Sequence, residues 1–174
     1  VKVVRLWHRS ARDVRITTHV CLVARAFGAD GITICGESAK GVIEGVKKIC
    51  ERWGGEFEAN YEKSWKQALK KDADEKIVHL TMYGERIQDK IEEIRGIGRL
   101  KVVVGAEKVP AEVYERADYN VAVTNQPHSE VSALAVFLDK YFDGAELGLK
   151  FKDAEFEIVP SERGKQFEER HING

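Results

Sequence analysis

Short apolar runs of strand length alternate with longer segments patterned at helical spacing along almost the whole chain, and this alternation limits the fold more than any other feature. Strand-like runs are expected at 1–7, 31–35, 57–61, 77–82, 100–104 and 119–123. The run at 100–104 is almost wholly apolar, as in a strand covered on both faces. Between them lie helical patterns. Residues 17–27 place Val20, Val23, Ala24 and Phe27 on one face, with Gly28 positioned to end the helix. Residues 38–53 place Val42, Ile43, Val46, Ile49 and Cys50 together, with Ser38 as the expected N-cap and Gly54-Gly55 as the stop. Shorter helices are expected from 64 to 69, from 85 to 95 (Ile87, Ile91, Ile94) and from 110 to 116, where Pro110 opens the first turn. Repeated units of this size predict an α/β fold: a mostly parallel sheet with helices on both faces.

The pattern changes after Gly144. Residues 149–152 and 155–159 alternate with period two around Lys152-Asp153-Ala154, which predicts an appended C-terminal β-hairpin, and the charged residues beyond Ser161 are expected to fray. The division is therefore a main domain over 1–144 and an extension over 145–174 packed on the same domain. The length of 174 residues suits one core. No apolar run approaches the ~20 residues of a membrane span, and the first residues lack a signal-peptide pattern, so no membrane partner and a cytoplasmic location are expected. Cys21, Cys35 and Cys50 form no C-x-x-C pair, and the five histidines show no zinc spacing, so no metal is expected.

Two features carry function. The first is charge. The net charge is −1, yet residues 1–27 hold six basic side chains against one acid, Asp13, and the remainder holds 22 basic and 28 acidic. Such a segment suits phosphates, and it is also compatible with a solvated basic surface. The second is a set of three strand ends: 80–84, 105–109 and 124–130. Ligands in open α/β sheets sit just beyond the carboxyl ends of strands. Gly105 permits close backbone approach; Gly84 and Gly105 as plain turn residues, and Ser129 as a plain N-cap, fit each loop taken alone. The helix at 129–142 has Val131, Leu134, Ala135 and Leu138 on one face and Ala133, Val136 and Phe137 on much of the other, which suits either burial in the monomer or a homodimer contact. There is no G-x-G-x-x-G, Walker loop or G-x-S-x-G elbow.

Gly105-Ala-Glu-Lys-Val-Pro110 resembles the G-x-E element of the SPOUT (SpoU–TrmD) methyltransferases, and Thr124-Asn-Gln-Pro-His-Ser-Glu-Val-Ser-Ala-Leu134 resembles their last motif. The segment from Arg5 to Gly28 is similar to the archaeal tRNA ribose methyltransferases that act on the T-loop cytidine at tRNA position 56. The resemblance spans most of the chain. It implies a C-terminal trefoil knot, an exception to the rule against knotted chains, and a homodimer through the 129–142 helix. It implies S-adenosylmethionine bound by Leu80, Gly105, Ala106, Glu107, Lys108, Val109, Val123, Thr124, Asn125, Gln126, Pro127, His128, Ser129 and Glu130. It implies a tRNA substrate methylated on a ribose 2′-hydroxyl, with Arg5, Arg9 and Arg12 on phosphates and Trp7 or His8 against a base or in the core. The family assigns activation of the hydroxyl to an Arg near the first helix, beside an Asn. Aligned on Gly28, His19 stands at the Asn and Leu22 at the Arg, so the candidates become Arg15, His19 and Arg25. Arg15 as a phosphate contact, Arg25 as an ion-pair partner and His19 as a capping or RNA-contacting residue remain alternatives. An RNA-binding module without turnover is the reading from another class.

Overall fold

The computed structural model describes residues 1–105 and 108–170. Six parallel strands form one sheet: β1 (Lys2–His8), β2 (Gly31–Gly36), β3 (Glu58–Glu62), β4 (Lys76–Arg86), β5 (Leu100–Val104) and β6 (Tyr119–Ala122), in the order β3-β2-β1-β5-β4-β6. Helices α1 (Val14–Ala26), α2 (Lys40–Trp53), α4 (Ile87–Arg95) and α6 (Glu130–Phe142) cover one face; the short α3 (Trp65–Ala68) and α5 (Ala111–Arg116) cover the other. Strand alternation divides the core accordingly. Val3, Val78, Val102 and Val104 face the four-helix side, while Val4, Ile77 and Val103 face the other. Among the described residues, no helix is long and apolar enough to cross a membrane.

Most expected elements are present with ends shifted by a few residues, and two differences have physical causes. The α2 helix starts at Lys40 with Ala39 in the N-cap position and no capping side chain; Ala39 is buried in the core, which fixes the turn there rather than at Ser38. The α6 helix is largely buried within the chain, through Ala133, Leu134, Phe137 and Leu138, and Ser129 does cap it, accepting from the Val131 N–H. The hairpin is displaced. Its strands are β7 (Phe156–Val159) and β8 (Gln166–Glu169), antiparallel, with Ile158 opposite Phe167. Residues expected to fray therefore form a strand, and residues 149–152 do not.

That displacement follows from Phe151. Its ring lies under the Arg25 guanidinium at 4.3 Å, the Lys152 carbonyl accepts from Gly55 N–H at 2.9 Å, and Asp153 turns the chain with φ 58°. Arg25 also donates to the carbonyls of Trp53 (2.8 Å) and Gly54 (2.5 Å), the last groups of α2. A cation at a helix C-terminus satisfies carbonyls that have no partner in the helix. Arg25 is only 7% exposed, so it acts as a latch that holds the extension to α1 and α2. Arg25→Met is expected to cost about 2–3 kcal/mol, read from the shift in a urea midpoint; a shift below about a tenth of that contradicts the latch.

Candidate functional site

The carboxyl ends of β1, β4 and β5 and the start of α6 enclose a cleft of about 700 Å³, a size usual for a small-molecule site. Three local irregularities shape it. In β1 the pairing with β2 shifts between Arg5 and His8, and Trp7 takes a left-handed φ of 52°. This turns the chain into the segment holding Arg9 and Asp13. In β4, pairing with β6 breaks after Leu80 and resumes at Glu85, so residues 81–84 bulge from the strand pairing as a rim. Gly105 ends β5, where an added Cβ would collide with the Val109 side chain.

One end of the cleft is charged. Arg9 donates to Asp13 through Nε (2.8 Å), Nη2 (3.0 Å) and its backbone N–H (3.0 Å). The Arg9 hydrogen bond holds the Asp13 carboxyl below its ordinary pKa, against the opposing effect of burial. Arg5 pairs with Glu130 at 2.9 Å and donates to the Gly105 carbonyl. Burial pushes the Arg5 guanidinium down from its ordinary value while Glu130 opposes that shift.

The other end is neutral and aromatic. His79 Nδ1 lies 2.9 Å from Asn120 Oδ1, and Asn120 Nδ2 donates to the Tyr114 carbonyl at 3.0 Å. With the amide nitrogen committed, Asn120 offers its oxygen, so His79 Nδ1 carries the proton and Nε2 is left as acceptor. Burial pushes the His79 pKa down, which keeps the ring neutral near pH 7. Tyr114 packs edge-on against that ring at 4.7 Å, and its hydroxyl meets Thr81 Oγ1 at 3.0 Å.

A family model described as tRNA ribose 2′-O-methyltransferase, aTrm56, matches residues 53–168. This chain belongs to that family. Two relatives named tRNA (cytidine(56)-2′-O)-methyltransferase are similar over nearly their whole length. The one from Methanopyrus kandleri is 55% identical over 168 residues, covering 95% of this chain and 94% of its own. The one from Thermococcus kodakarensis is 57% identical over 171 residues, covering 95% of each. Among solved structures, an RNA 2′-O ribose methyltransferase superposes with a TM-score of 0.62 at 16% identity, over 83% of this chain and 56% of its own. The SpoU methyltransferase AviRb from Streptomyces viridochromogenes, in complex with AdoMet, gives 0.58 at 14% over 82% and 57%. The fold is that of the SpoU methyltransferases.

The chain brings together part of the expected set. Leu80, Gly105, Lys108, Val109, His128 and Glu130 line the cleft. Ala106 and Glu107 lie outside the described residues. Val123, Thr124, Gln126 and Pro127 are not cleft-lining, and neither are the two neighbours that brace the loop: Asn125, whose amide donates to the carbonyls of Met82 (2.8 Å) and Gly84 (3.1 Å), and Ser129, the cap. The catalytic candidates are not assembled. Arg15 and His19 are exposed on α1 outside the cleft, and Arg25 is the buried latch of the extension. Arg12 is exposed, as a phosphate contact needs, whereas Arg5 is 1% exposed and its guanidinium is committed inside the protein. The expectation that Arg5 meets RNA phosphates is therefore corrected. His8 is buried as well, bonded to Thr17 Oγ1 at 2.9 Å, and Trp7 packs on Trp65 at 5.7 Å. Thr81 belongs to the 80–84 strand end expected at the site, whereas Asp13, His79 and Tyr114 are cleft residues that sequence reading missed. Two left a signal: the i, i+4 Arg9–Asp13 pair at a helix start, and a histidine inside an apolar strand.

Proposed function

We propose that this protein transfers a methyl group from S-adenosylmethionine to the ribose 2′-hydroxyl of cytidine 56 in the tRNA T-loop. The observation that carries this reading is the convergence of the Gly105 and Glu130 loops with the Arg9–Asp13 pair on one cleft, in a chain over half identical to relatives of that name. The cleft fits the cofactor in kind. It has the volume, the Asp13 and Glu130 carboxylates held in place by Arg9 and Arg5, and the neutral His79–Tyr114 pair to receive a base.

Leu80, Gly105, Val109, His128 and Glu130 would hold the cofactor, with Ala106, Glu107 and Lys108 in the same loop. When bound it supplies an electrophilic methyl group on a sulfonium, which needs no metal. The chain's own residues orient the acceptor. Arg9 replaces Arg15 and Arg25 as the proposed activating residue, because it stands at the cleft and Asp13 fixes its guanidinium. A guanidinium stays charged in proteins. The role of Arg9 is to hold the 2′-oxygen and stabilise charge developing there as the sulfur–methyl bond breaks; the hydroxyl proton passes to solvent water and the thioether product leaves. Arg12, Arg15 and His19, exposed on the same segment, would meet the tRNA backbone.

A trefoil knot and a homodimer belong to the same reading. The Asn125 contacts to the 81–84 rim support close passage of distant chain segments. Val14 (47% exposed) and Val136 (42% exposed), on the packed helices α1 and α6, support a second copy on that side. The deciding experiment is transfer of labelled methyl to an unmodified tRNA transcript followed by mapping. Label on the ribose of cytidine 56 is expected; label on a base, or on a ribose outside the T-loop, refutes the assignment.

A further inference from the structure

Arg5 breaks a local rule. Its neighbours in β1, Val3, Val4 and Leu6, are 0–1% exposed, and Arg5 itself is 1% exposed. Burying a guanidinium carries a desolvation cost that an apolar side chain of similar length would not. Its Nε has no partner among the described residues, so even the pairing is incomplete. A residue that departs from its surroundings at such cost points to the site beside it.

The contacts show what it does there. Nη2 holds Glu130 in the first turn of α6 at 2.9 Å, and Nη1 reaches the Gly105 carbonyl at the end of β5 and the Leu6 carbonyl at 3.2 Å. Gly105 lies 100 residues along the chain from Arg5. Both partners line the cleft, and each belongs to a different loop. A planar fork can hold two acceptors in fixed relation; an ammonium of the same charge cannot.

We propose that Arg5 is a positioning residue for cofactor binding: it sets the Gly105 loop and the start of α6 at a fixed separation, so that the cleft is formed before ligand arrives. This rests on the cofactor reading of the cleft given above. Preorganisation of this kind acts on affinity, because the free protein does not have to order two loops on binding. The role is separable from that of a mere counter-ion to Glu130.

The test is calorimetric binding of S-adenosylhomocysteine to the full chain, with tRNA binding and thermal midpoint measured beside it. Arg5→Lys keeps a cation beside Glu130 without the planar fork, and it leaves every proposed cofactor contact in place. If Arg5 only neutralises Glu130, this variant binds the ligand like wild type. If Arg5 positions the Gly105 loop, affinity falls by about tenfold or more while tRNA affinity stays within about twofold. Arg5→Gln, which keeps a neutral donor and leaves Glu130 partly exposed to solvent, is expected to show the same split and carries the test should Arg5→Lys not fold. Wild-type affinity in both variants overturns the positioning role alone. A wild-type protein that binds no S-adenosylhomocysteine overturns the cofactor reading and this one with it.

Discussion

Arg9→Gln is expected to lower the single-turnover rate of methyl transfer by about two to three orders of magnitude, with cofactor affinity changed by less than about threefold. Arg9 lines the cleft and is held by Asp13 through Nε and Nη2, which fixes the orientation of its guanidinium. A fixed cation acts on charge that develops only as the 2′-oxygen attacks, which places its effect on the chemical step rather than on ground-state binding. Glutamine keeps the length of the stem and some hydrogen bonding but no charge. The Arg9 backbone N–H still reaches Asp13 Oδ2 at 3.0 Å, so the turn before α1 retains one of its ties. Arg15→Ala, by contrast, changes an exposed residue outside the cleft and should act on tRNA affinity. A rate for Arg9→Gln within about threefold of wild type, at saturating cofactor and tRNA, would remove Arg9 from the mechanism.

Gly84→Ala should be a strongly damaging single-methyl change. The reason is space, not backbone conformation. A Cβ at 84 would lie 2.5 Å from the carbonyl carbon and oxygen of Asn120 and 2.6 Å from Val121 N. These are backbone atoms of β6, and they cannot rotate away. Relief requires β6 and the 81–84 rim to separate, which strains the pairing of Glu85 with Val121 and the Asn125 contacts to Met82 and Gly84. A loss of about 2–4 kcal/mol is expected in denaturant titration. Gly45 gives the opposite result. It lies inside α2 with nothing within 4 Å of an added Cβ, so Gly45→Ala is expected to stabilise by about 0.5–1 kcal/mol. Equal effects at the two positions would show that glycine entropy, rather than close approach, governs both.

How much of this was legible in the chain depended on whether the deciding interaction was local. β5 was placed to the residue, since an apolar run flanked by breakers needs no knowledge of its partners. The face of α4 was also clear, because Ile87, Ile91 and Ile94 repeat at helical spacing and all three are buried. The hairpin was misplaced because residues 149–152 do alternate, and only the contact of Phe151 with Arg25 shows that they dock instead. Arg5 reads as a surface cation until Glu130 and Gly105 arrive beside it from distant parts of the chain. Arg25 was offered as catalytic for the same reason: its acceptors, Trp53 and Gly54, lie 28 and 29 residues on. The Arg9–Asp13 pair was visible, but what it faces was not.

The interruption in β4 has a consequence for how such a protein can diversify. Leu80 and Glu85 both pair with Val121, so the sheet continues as though residues 81–84 were absent. The rim is nonetheless tied to β6 at Gly84 and to Asn125 at Met82 and Gly84, so freedom is confined to its tip: Tyr83, 75% exposed, can be exchanged without displacing a strand. The mouth of the cleft thus carries one interchangeable side chain on a fixed frame, and what approaches the cleft could be altered there without redesign of the core.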